Sequence, residues 1–258
     1  MSDCRKTADQ VRALLQSCKG NGPQQTRTFY DSWSTYEQDF AMLNYRAPNF
    51  GVDFLDATFC GTRADVQVLD VACGSGLVTK LMSELGFRNF VGVDGSEGML
   101  DLAAQSGLYQ DLRLALLGTD PLPAQTGTFD VVILVGALSP GFIPVSVVRE
   151  LCHAAKPGGL VCMVRGEHRG AEHDMYQCDL QRELQLMEEE GLWGQLAVQH
   201  TDRYMNDTFP DPDQQGELFL SGTAYLYKKK ELHNKEVCLQ VSRFLFRASP
   251  NHRERARN

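Results

Sequence analysis

Apolar runs alternate with amphipathic segments through the middle of this chain. Five stretches have the pattern of buried strands: VQVLDVA (66–72), NFVGVDG (89–95), LRLALL (112–117), FDVVILVG (129–136) and GLVCMVRG (159–166). Three intervening stretches have the apolar spacing of helices: GLVTKLMSEL (76–85), SEGMLDLAAQS (96–106), which Ser96 is suited to cap, and IPVSVVRELCHAAK (143–156). Such alternation predicts a parallel sheet covered by helices on both faces.

The N-terminal region has a different pattern. Residues 1–28 predict a weak helix followed by a loop at KGNGPQQT (19–26). The aromatic-rich segment TFYDSWSTYEQDFAMLNYR (28–46) repeats apolar side chains at helical steps. It predicts a helix from about Thr35 onward, which Pro48 stops. We expect residues 1–46 to form a helical segment or lid.

The C-terminal part predicts one more helix and two strands. Tyr176, Leu180, Leu184 and Met187 fall on one helical face. LAVQHTDRYM (196–205) and TAYLYKKKE (223–231) then predict a hairpin, joined by the polar loop NDTFPDPDQQGE. The expected fold is α/β: a seven-stranded, mostly parallel, doubly wound sheet with a C-terminal antiparallel hairpin. We expect it to occupy residues 47–230, with a C-terminal extension, disordered in whole or in part, over 231–258.

Composition narrows the class of protein. With 258 residues and 43% apolar content, the chain can bury one large core. Its net charge of −8 disfavours a nucleic-acid partner. Eight scattered cysteines without a CxxC pair argue against a metal site and for a reducing compartment. Since no segment is typical of a signal peptide or membrane span, we expect a location in the cytoplasm, with the nucleus as the alternative, and no membrane partner. We also expect a monomer.

The loop after the first predicted strand indicates the ligand. Gly74-Ser75-Gly76 lacks the third glycine of a dinucleotide fingerprint. Asp70 precedes the glycines, where a carboxylate can neutralise a cationic group but would repel a pyrophosphate. Asp94 ends the second strand, where both its oxygens can accept from ribose hydroxyls. Together these residues favour a ribose-bearing cation without phosphates.

Four motifs in order extend this interpretation: LDVACGSGL, VGVDGSEGML, LPAQTGTFDVV and AAKPGGLVCMV. Their combination resembles the class I S-adenosylmethionine-dependent methyltransferases, over about Val68 to Val164. The resemblance implies a Rossmann-like fold, S-adenosyl-L-methionine as cofactor, and methyl transfer as the reaction.

The resemblance also implies roles for residues of the first loop. Asp70 holds the acidic place of the motif, and Ala72 replaces its first glycine, which is tolerable if φ stays negative there. Gly74 and Gly76 would let the backbone approach the methionine part of the cofactor. The cofactor's amino group would lie near the backbone of Ala72 and Cys73, the latter packing as part of the pocket wall.

Later positions follow the same resemblance. Asp94 would bind the ribose, with Gly95 and Met99 beside the adenine ring, although Met99 suits the helix core equally well. The third strand normally ends in an acid that binds the adenine amino group. Here Gly118 takes that place, which leaves two alternatives, namely backbone groups of Leu117 to Thr119, or Asp120 after a shift of the loop.

The remaining candidates surround the reacting groups. Val135 and Gly136 would lie next to the transferred methyl group. The segment from Phe29 to Arg46 would cover the cofactor as a lid, and Arg46 would meet the cofactor carboxylate. In that lid Tyr30, Trp33 and Tyr36 are candidates for contacts with the cofactor. The alternative is that they pack a helix onto the sheet, and for Trp33 this alternative is favoured.

Methyl transfer is an in-line displacement that depends chiefly on positioning and exclusion of water, so no strong catalytic signature is required. Glu167 and His168, after the fifth strand, are weak candidates for a general base. We expect a small-molecule acceptor. The alternatives are a protein methyltransferase, a catalytically silent cofactor-binding partner protein, and an NAD-dependent or nucleotide-sugar enzyme.

Overall fold

The structure is a computed structural model that describes residues 6–18, 20–207 and 219–231. Most of the polar loop expected between the last two strands lies outside the described residues, as does the expected C-terminal extension after Glu231. The helices and strands follow in chain order: α1 (Ala8–Ser17), α2 (Pro23–Asp31), α3 (Tyr36–Met42), α4 (Ala47–Thr58), β1 (Gln67–Val71), α5 (Leu77–Glu84), β2 (Asn89–Asp94), α6 (Glu97–Ala104), β3 (Tyr109–Leu114), β4 (Phe129–Val135), α7 (Val147–Ala154), β5 (Ala155–Gly166), α8 (Ala171–Glu189), β6 (Trp193–Asn206) and β7 (Phe219–Lys229).

The described strands form one seven-stranded sheet in the order β3-β2-β1-β4-β5-β7-β6. The first five pair in parallel, while β7 pairs antiparallel with both β5 and β6. The chain moves outward from β1 to β3 and then returns to the other side of β1 with β4. A ligand of such a sheet binds at this reversal, beyond the carboxyl ends of β1 and β4. The predicted doubly wound sheet with its C-terminal hairpin is confirmed.

Helices cover both faces of the sheet. On one face, side chains of α7 and α8 such as Leu151 and Leu180 pack on alternate strand positions, including Leu69 and Val132. On the other face, side chains of α4 and α5 pack on the intervening positions. A Cβ added at Gly51 of α4 would lie 2.8 Å from a methyl of Val164, so this helix sits directly against the sheet.

Several predicted boundaries were wrong in the N-terminal region. The expected loop at 19–26 ends early, because α2 begins at Pro23. Pro48 does not stop a helix. It lies in the first turn of α4, where proline is tolerated because the first helical N–H groups have no intrahelical partner. Helix α4 itself was not predicted.

The third strand was placed too late in the chain. β3 runs over Tyr109–Leu114, whereas the apolar pattern suggested 112–117. The reason is that Ala115 and Leu117 are buried although they lie in the following loop, so their hydrophobicity reflects packing and not a strand. The predicted helix at 143–156 is shorter, Val147–Ala154, and the strand that follows it begins at Ala155.

No helix within the described part of the chain is both long enough and apolar enough to cross a membrane.

Candidate active site

The loop from β1 to α5 turns sharply at three left-handed positions. Ala72, Gly74 and Gly76 have φ values of 54°, 53° and 87°. The condition for an unstrained alanine at this position, a negative φ, is therefore not met. An alanine at such a φ costs about 1–2 kcal/mol relative to the right-handed region, so the turn holds strain that a glycine would relieve.

Asp70 anchors this loop from below. Its carboxylate is 1% exposed, and Oδ2 accepts hydrogen bonds from Thr79 Oγ1 at 2.9 Å and the Tyr109 hydroxyl at 2.8 Å. Burial raises the pKa of Asp70 to about 6, although the two hydrogen bonds act in the opposite direction. The structure thus gives Asp70 partners within the protein, and its contact with a cationic ligand group stays a prediction.

Tyr109, which was not predicted as a site residue, reaches Asp70 across the sheet. A Cβ at Gly92 of β2 would lie 2.8 Å from the Tyr109 ring, and one at Gly76 would lie 3.2 Å from it. The ring can cross β2 only because Gly92 has no side chain. The signal was the glycine inside an apolar strand, which marks a close approach of another group.

Asp94 connects the end of β2 to the glycine loop, the turn between β1 and α5 that contains Ala72, Gly74 and Gly76. Oδ2 accepts from the Gly74 N–H at 2.8 Å, and Oδ1 accepts from the Ser96 N–H at 2.9 Å. Burial raises the pKa of Asp94, against the effect of these backbone hydrogen bonds. Each carboxylate oxygen has a second lone pair, so the group can still accept from a ligand's hydroxyls.

The loop residues that remain fit the implied cofactor. Nothing lies within 4 Å of a Cβ placed on Gly74, so its backbone faces open space beside Asp94. Ser75 is 1% exposed, and its Oγ has no hydrogen-bond partner among the described residues. Cys73 is buried with its pKa raised well above 9 by desolvation, which suits a wall of the pocket and not a nucleophile.

The residues predicted to lie near the adenine ring occupy two places, namely the core beneath α6 and the loop after β3. Met99 is 1% exposed in the core, and its N–H donates to Ser96 Oγ, the predicted N-cap of α6. The structure therefore favours the core interpretation of Met99. Gly95 lies against Leu116, whose N–H donates to the Asp120 carboxylate at 3.0 Å, so Asp120 closes its own loop.

Thr119 lies exposed in the loop that Asp120 closes. The preceding Gly118 packs so closely on Pro144 that a Cβ there would overlap the proline ring. This fixes the loop after β3 against the loop after β4, and it leaves the adenine contacts of Leu117 to Thr119 and of Asp120 as predictions.

The N-terminal segment lies over the carboxyl edge of the sheet. Asp31 at the end of α2 accepts from Ser96 Oγ at 2.7 Å, and the Tyr30 ring meets the Phe142 ring with centroids 5.9 Å apart. Trp33 is 4% exposed and donates from Nε1 to the Asp39 carboxylate at 2.6 Å, which confirms that it packs. Chains of aromatic contacts continue from there to Tyr36, Phe40 and Tyr45.

Two tyrosine hydroxyls meet at the end of β4. A Cβ at Gly136 would overlap the Tyr45 hydroxyl oxygen and lie 3.3 Å from that of Tyr204. The two rings contact each other with centroids 5.6 Å apart, and burial raises the pKa of Tyr45 to about 12. Val135, just before Gly136, is buried in the core. The predicted methyl-transfer position is thus bordered by two phenols that the sequence analysis did not assign to it.

Glu167 is poorly suited to act as the general base. Its Oε2 accepts from Ser221 Oγ at 2.7 Å, its Oε1 accepts from Thr223 Oγ1, and His200 Nδ1 lies 3.4 Å from Oε1. Desolvation opposes ionisation, but the two hydroxyls and His200 outweigh it and lower the pKa of Glu167. His168 lies close to His173, with ring centroids 5.2 Å apart, and its role as a base stays a prediction.

Arg46 is exposed and does not join the loop residues. It lines a cleft of about 510 Å³ between α4 and β6, together with Asn49, Phe50, Asp53 and residues 200–203. None of the glycine-loop residues borders this cleft. The expected contact between Arg46 and the cofactor carboxylate is therefore not supported, because the backbone at the start of α4 directs this side chain to another surface.

Comparison with known proteins gives the family. A family model described as a methyltransferase domain matches residues 68–159. Human methyltransferase-like protein 27 is 43% identical over 196 residues, covering 75% of this chain and 79% of that protein. A ubiquinone biosynthesis O-methyltransferase of Bordetella bronchiseptica is 34% identical over 132 residues, covering 50% of this chain and 54% of that protein.

A solved structure agrees in fold. A putative S-adenosylmethionine-dependent methyltransferase from Listeria monocytogenes aligns with a TM-score of 0.51 at 16% identity, covering 71% of this chain and all of that one. The glycine loop, the Asp94 carboxylate beside it and these similarities lead to one conclusion. The chain belongs to the class I S-adenosylmethionine-dependent methyltransferases, the family that includes methyltransferase-like protein 27.

Proposed function

We propose that this methyltransferase acts on a small molecule. The observation that carries the proposal is the enclosed end of β4, where the Tyr45 and Tyr204 hydroxyls face Gly136. Tyr204 is 2% exposed, and burial raises the pKa of both phenols. A small acceptor fits such an enclosed place better than a side chain presented by a folded protein does.

Two further observations support a small acceptor. The chain has 33 acidic and 25 basic residues, which disfavours the nucleic-acid backbone as a partner. The relatives named for ubiquinone biosynthesis are, by that name, enzymes of small-molecule metabolism. The same name, O-methyltransferase, says that they transfer the methyl group to an oxygen of their substrate. The scattered cysteines suit a cytoplasmic or nuclear location, which is part of the proposal.

The residues present would hold the cofactor in the following way. The backbone of the Gly74–Gly76 loop would lie against its methionine part, and Asp94 would accept from its ribose hydroxyls. When bound, the cofactor supplies an electrophilic methyl group on a positively charged sulfur. The protein contributes alignment and exclusion of water at Gly136, and the Tyr45–Tyr204 pair can hold the acceptor's polar group by hydrogen bonds.

The test uses S-adenosylmethionine with a labelled methyl group and a cell extract, separated by ultrafiltration into metabolites and macromolecules after the reaction. We expect wild-type protein to form labelled metabolites that chromatography separates from S-adenosylmethionine, and Asp94→Ala to form far less of them. Label on macromolecules would indicate a protein or nucleic-acid acceptor. If S-adenosylhomocysteine binds but neither labelled macromolecules nor such new labelled metabolites form, the catalytically silent alternative holds instead.

A further inference from the structure

Arg165 is a buried cation next to the predicted position of methyl transfer. It lies near the end of β5 and is 3% exposed. Val135 pairs with Val164, and the Gly136 N–H donates to the Val164 carbonyl at 2.8 Å. Arg165 is therefore the next residue along β5, directly across from Gly136, at a separation of about one strand spacing, roughly 5 Å.

The Arg165 guanidinium has no anionic partner among the described residues. Its Nε is buried without a hydrogen-bond acceptor, and none of the ion pairs between described residues includes it. Glu167 lies two residues further along, but its oxygens accept from Ser221 and Thr223. An arginine stays protonated when buried, so an unpaired charge here is costly to the fold unless something else uses it.

The ring of Tyr176 packs beside the Arg165 guanidinium. The guanidinium carbon lies 5.9 Å from the centroid of the Tyr176 ring. The Tyr176 hydroxyl donates to the Ile143 carbonyl at 2.6 Å and so fixes this ring against the loop after β4. The Tyr204 ring lies beside the same end of β5, since a Cβ added at Gly166, the residue after Arg165, would be 2.9 Å from it.

We propose that Arg165 binds an oxyanion, a carboxylate or phosphate, of the methyl acceptor. This inference rests on the proposed small-molecule function and names the chemical class of its substrate. The guanidinium fork matches such groups through two parallel hydrogen bonds. β4 separates β5 from the glycine loop at β1, so Arg165 is about two strand spacings, roughly 10 Å, from the loop that would hold the cofactor. Arg165 would therefore bind the methyl acceptor beside Gly136 and not the cofactor.

The first test measures anion binding. Benzoate, phenyl phosphate and the uncharged benzamide are titrated by calorimetry into protein saturated with S-adenosylhomocysteine. We expect wild type to bind at least one anion at least tenfold more tightly than benzamide. In Arg165→Met the affinity for that anion falls about 10- to 100-fold, whereas Arg165→Lys, which keeps the charge without the fork, lies between them. Arg182→Met changes an exposed arginine and should keep the preference of wild type.

Three results would overturn the inference. One is equal binding of the anions and benzamide by wild type, and another is an unchanged anion preference in Arg165→Met. The third is a loss of S-adenosylhomocysteine affinity in Arg165→Met with 5′-methylthioadenosine binding intact, because Arg165 would then serve the cofactor carboxylate. Labelled metabolites produced by wild type together with any of these results would leave the proposed small-molecule function standing.

A stability measurement distinguishes this role from a structural one. Without ligand, removal of an unpaired buried charge should raise the melting temperature of Arg165→Met above that of wild type, by a few degrees. A lower melting temperature than wild type would show that the guanidinium supports the fold, and would count against an anion site.

Discussion

Substitution of Asp70 by asparagine should change how the stability of this protein depends on pH. The side chain of asparagine has nearly the same shape and can accept from Thr79 and Tyr109, but it carries no charge. The pKa of Asp70 is about 6 in the folded protein, against an ordinary value of 3.8. Between these two values the folded state keeps a proton that the unfolded state has released.

The size and sign of the effect follow from this difference. Because folding takes up a proton between about pH 4 and pH 6, the contribution of Asp70 to stability falls as pH rises through that window and is constant above it. A shift of about two pKa units corresponds to about 3 kcal/mol. Relative to wild type, Asp70→Asn should therefore gain up to about 3 kcal/mol between pH 4 and pH 8.

Urea denaturation of both proteins at several pH values measures this gain in the free energy of unfolding. A difference in hydrogen bonding between Asp and Asn is the same at every pH, so it does not affect how the free-energy difference changes with pH. Asp101→Asn, an exposed position on α6, is the matched control and should show no such trend. If the free-energy difference between wild type and Asp70→Asn stays the same from pH 4 to pH 8, burial does not hold the proton on Asp70. The account of the loop anchor would then be wrong.

Three further predictions concern the backbone turn and the tyrosines. Ala72→Gly should stabilise the fold by up to about 1 kcal/mol and Ala72→Val should destabilise it, because φ is 54° there; equal urea midpoints would contradict this. Gly222→Ala should cost about 1–3 kcal/mol because a Cβ would overlap the Tyr204 ring, whereas Gly194→Ala, with open space around it, should cost far less in the same assay. Tyr45→Phe should lower methyl transfer more than S-adenosylhomocysteine affinity, and loss of both together would place Tyr45 at the cofactor instead.

Much of the fold could be predicted because long apolar strands alternate with amphipathic helices. The strand pattern around Val68 and Val131 reports burial on both faces, and burial is what defines a central parallel strand. The edge strand β3 was predicted too late in the chain, because buried residues in the next loop look the same in the sequence as buried strand residues. Local patterns also could not separate a proline that ends a helix from Pro48, which begins one.

The glycine loop and Asp94 could be located from the sequence because both follow strands whose carboxyl ends share one edge. Other features depend on contacts between distant segments. Tyr109 contacts Asp70 although the two residues are 39 positions apart in the sequence. Tyr204 and Tyr45 contact each other although one lies near the end and the other near the start of the described chain. Arg165 looked like an ordinary end of an apolar strand, and only the structure shows that its charge is buried without a partner.

Calorimetric titration of S-adenosylhomocysteine into wild type and Asp94→Ala tests the central claim most directly, with exposed Asp101→Ala as control. The account predicts that wild type and the control bind alike, that Asp94→Ala binds more weakly by about 1–3 kcal/mol, and that none of them binds NAD tightly. Equal affinity in wild type and Asp94→Ala, or tight binding of NAD, would contradict the assignment of this loop to S-adenosylmethionine.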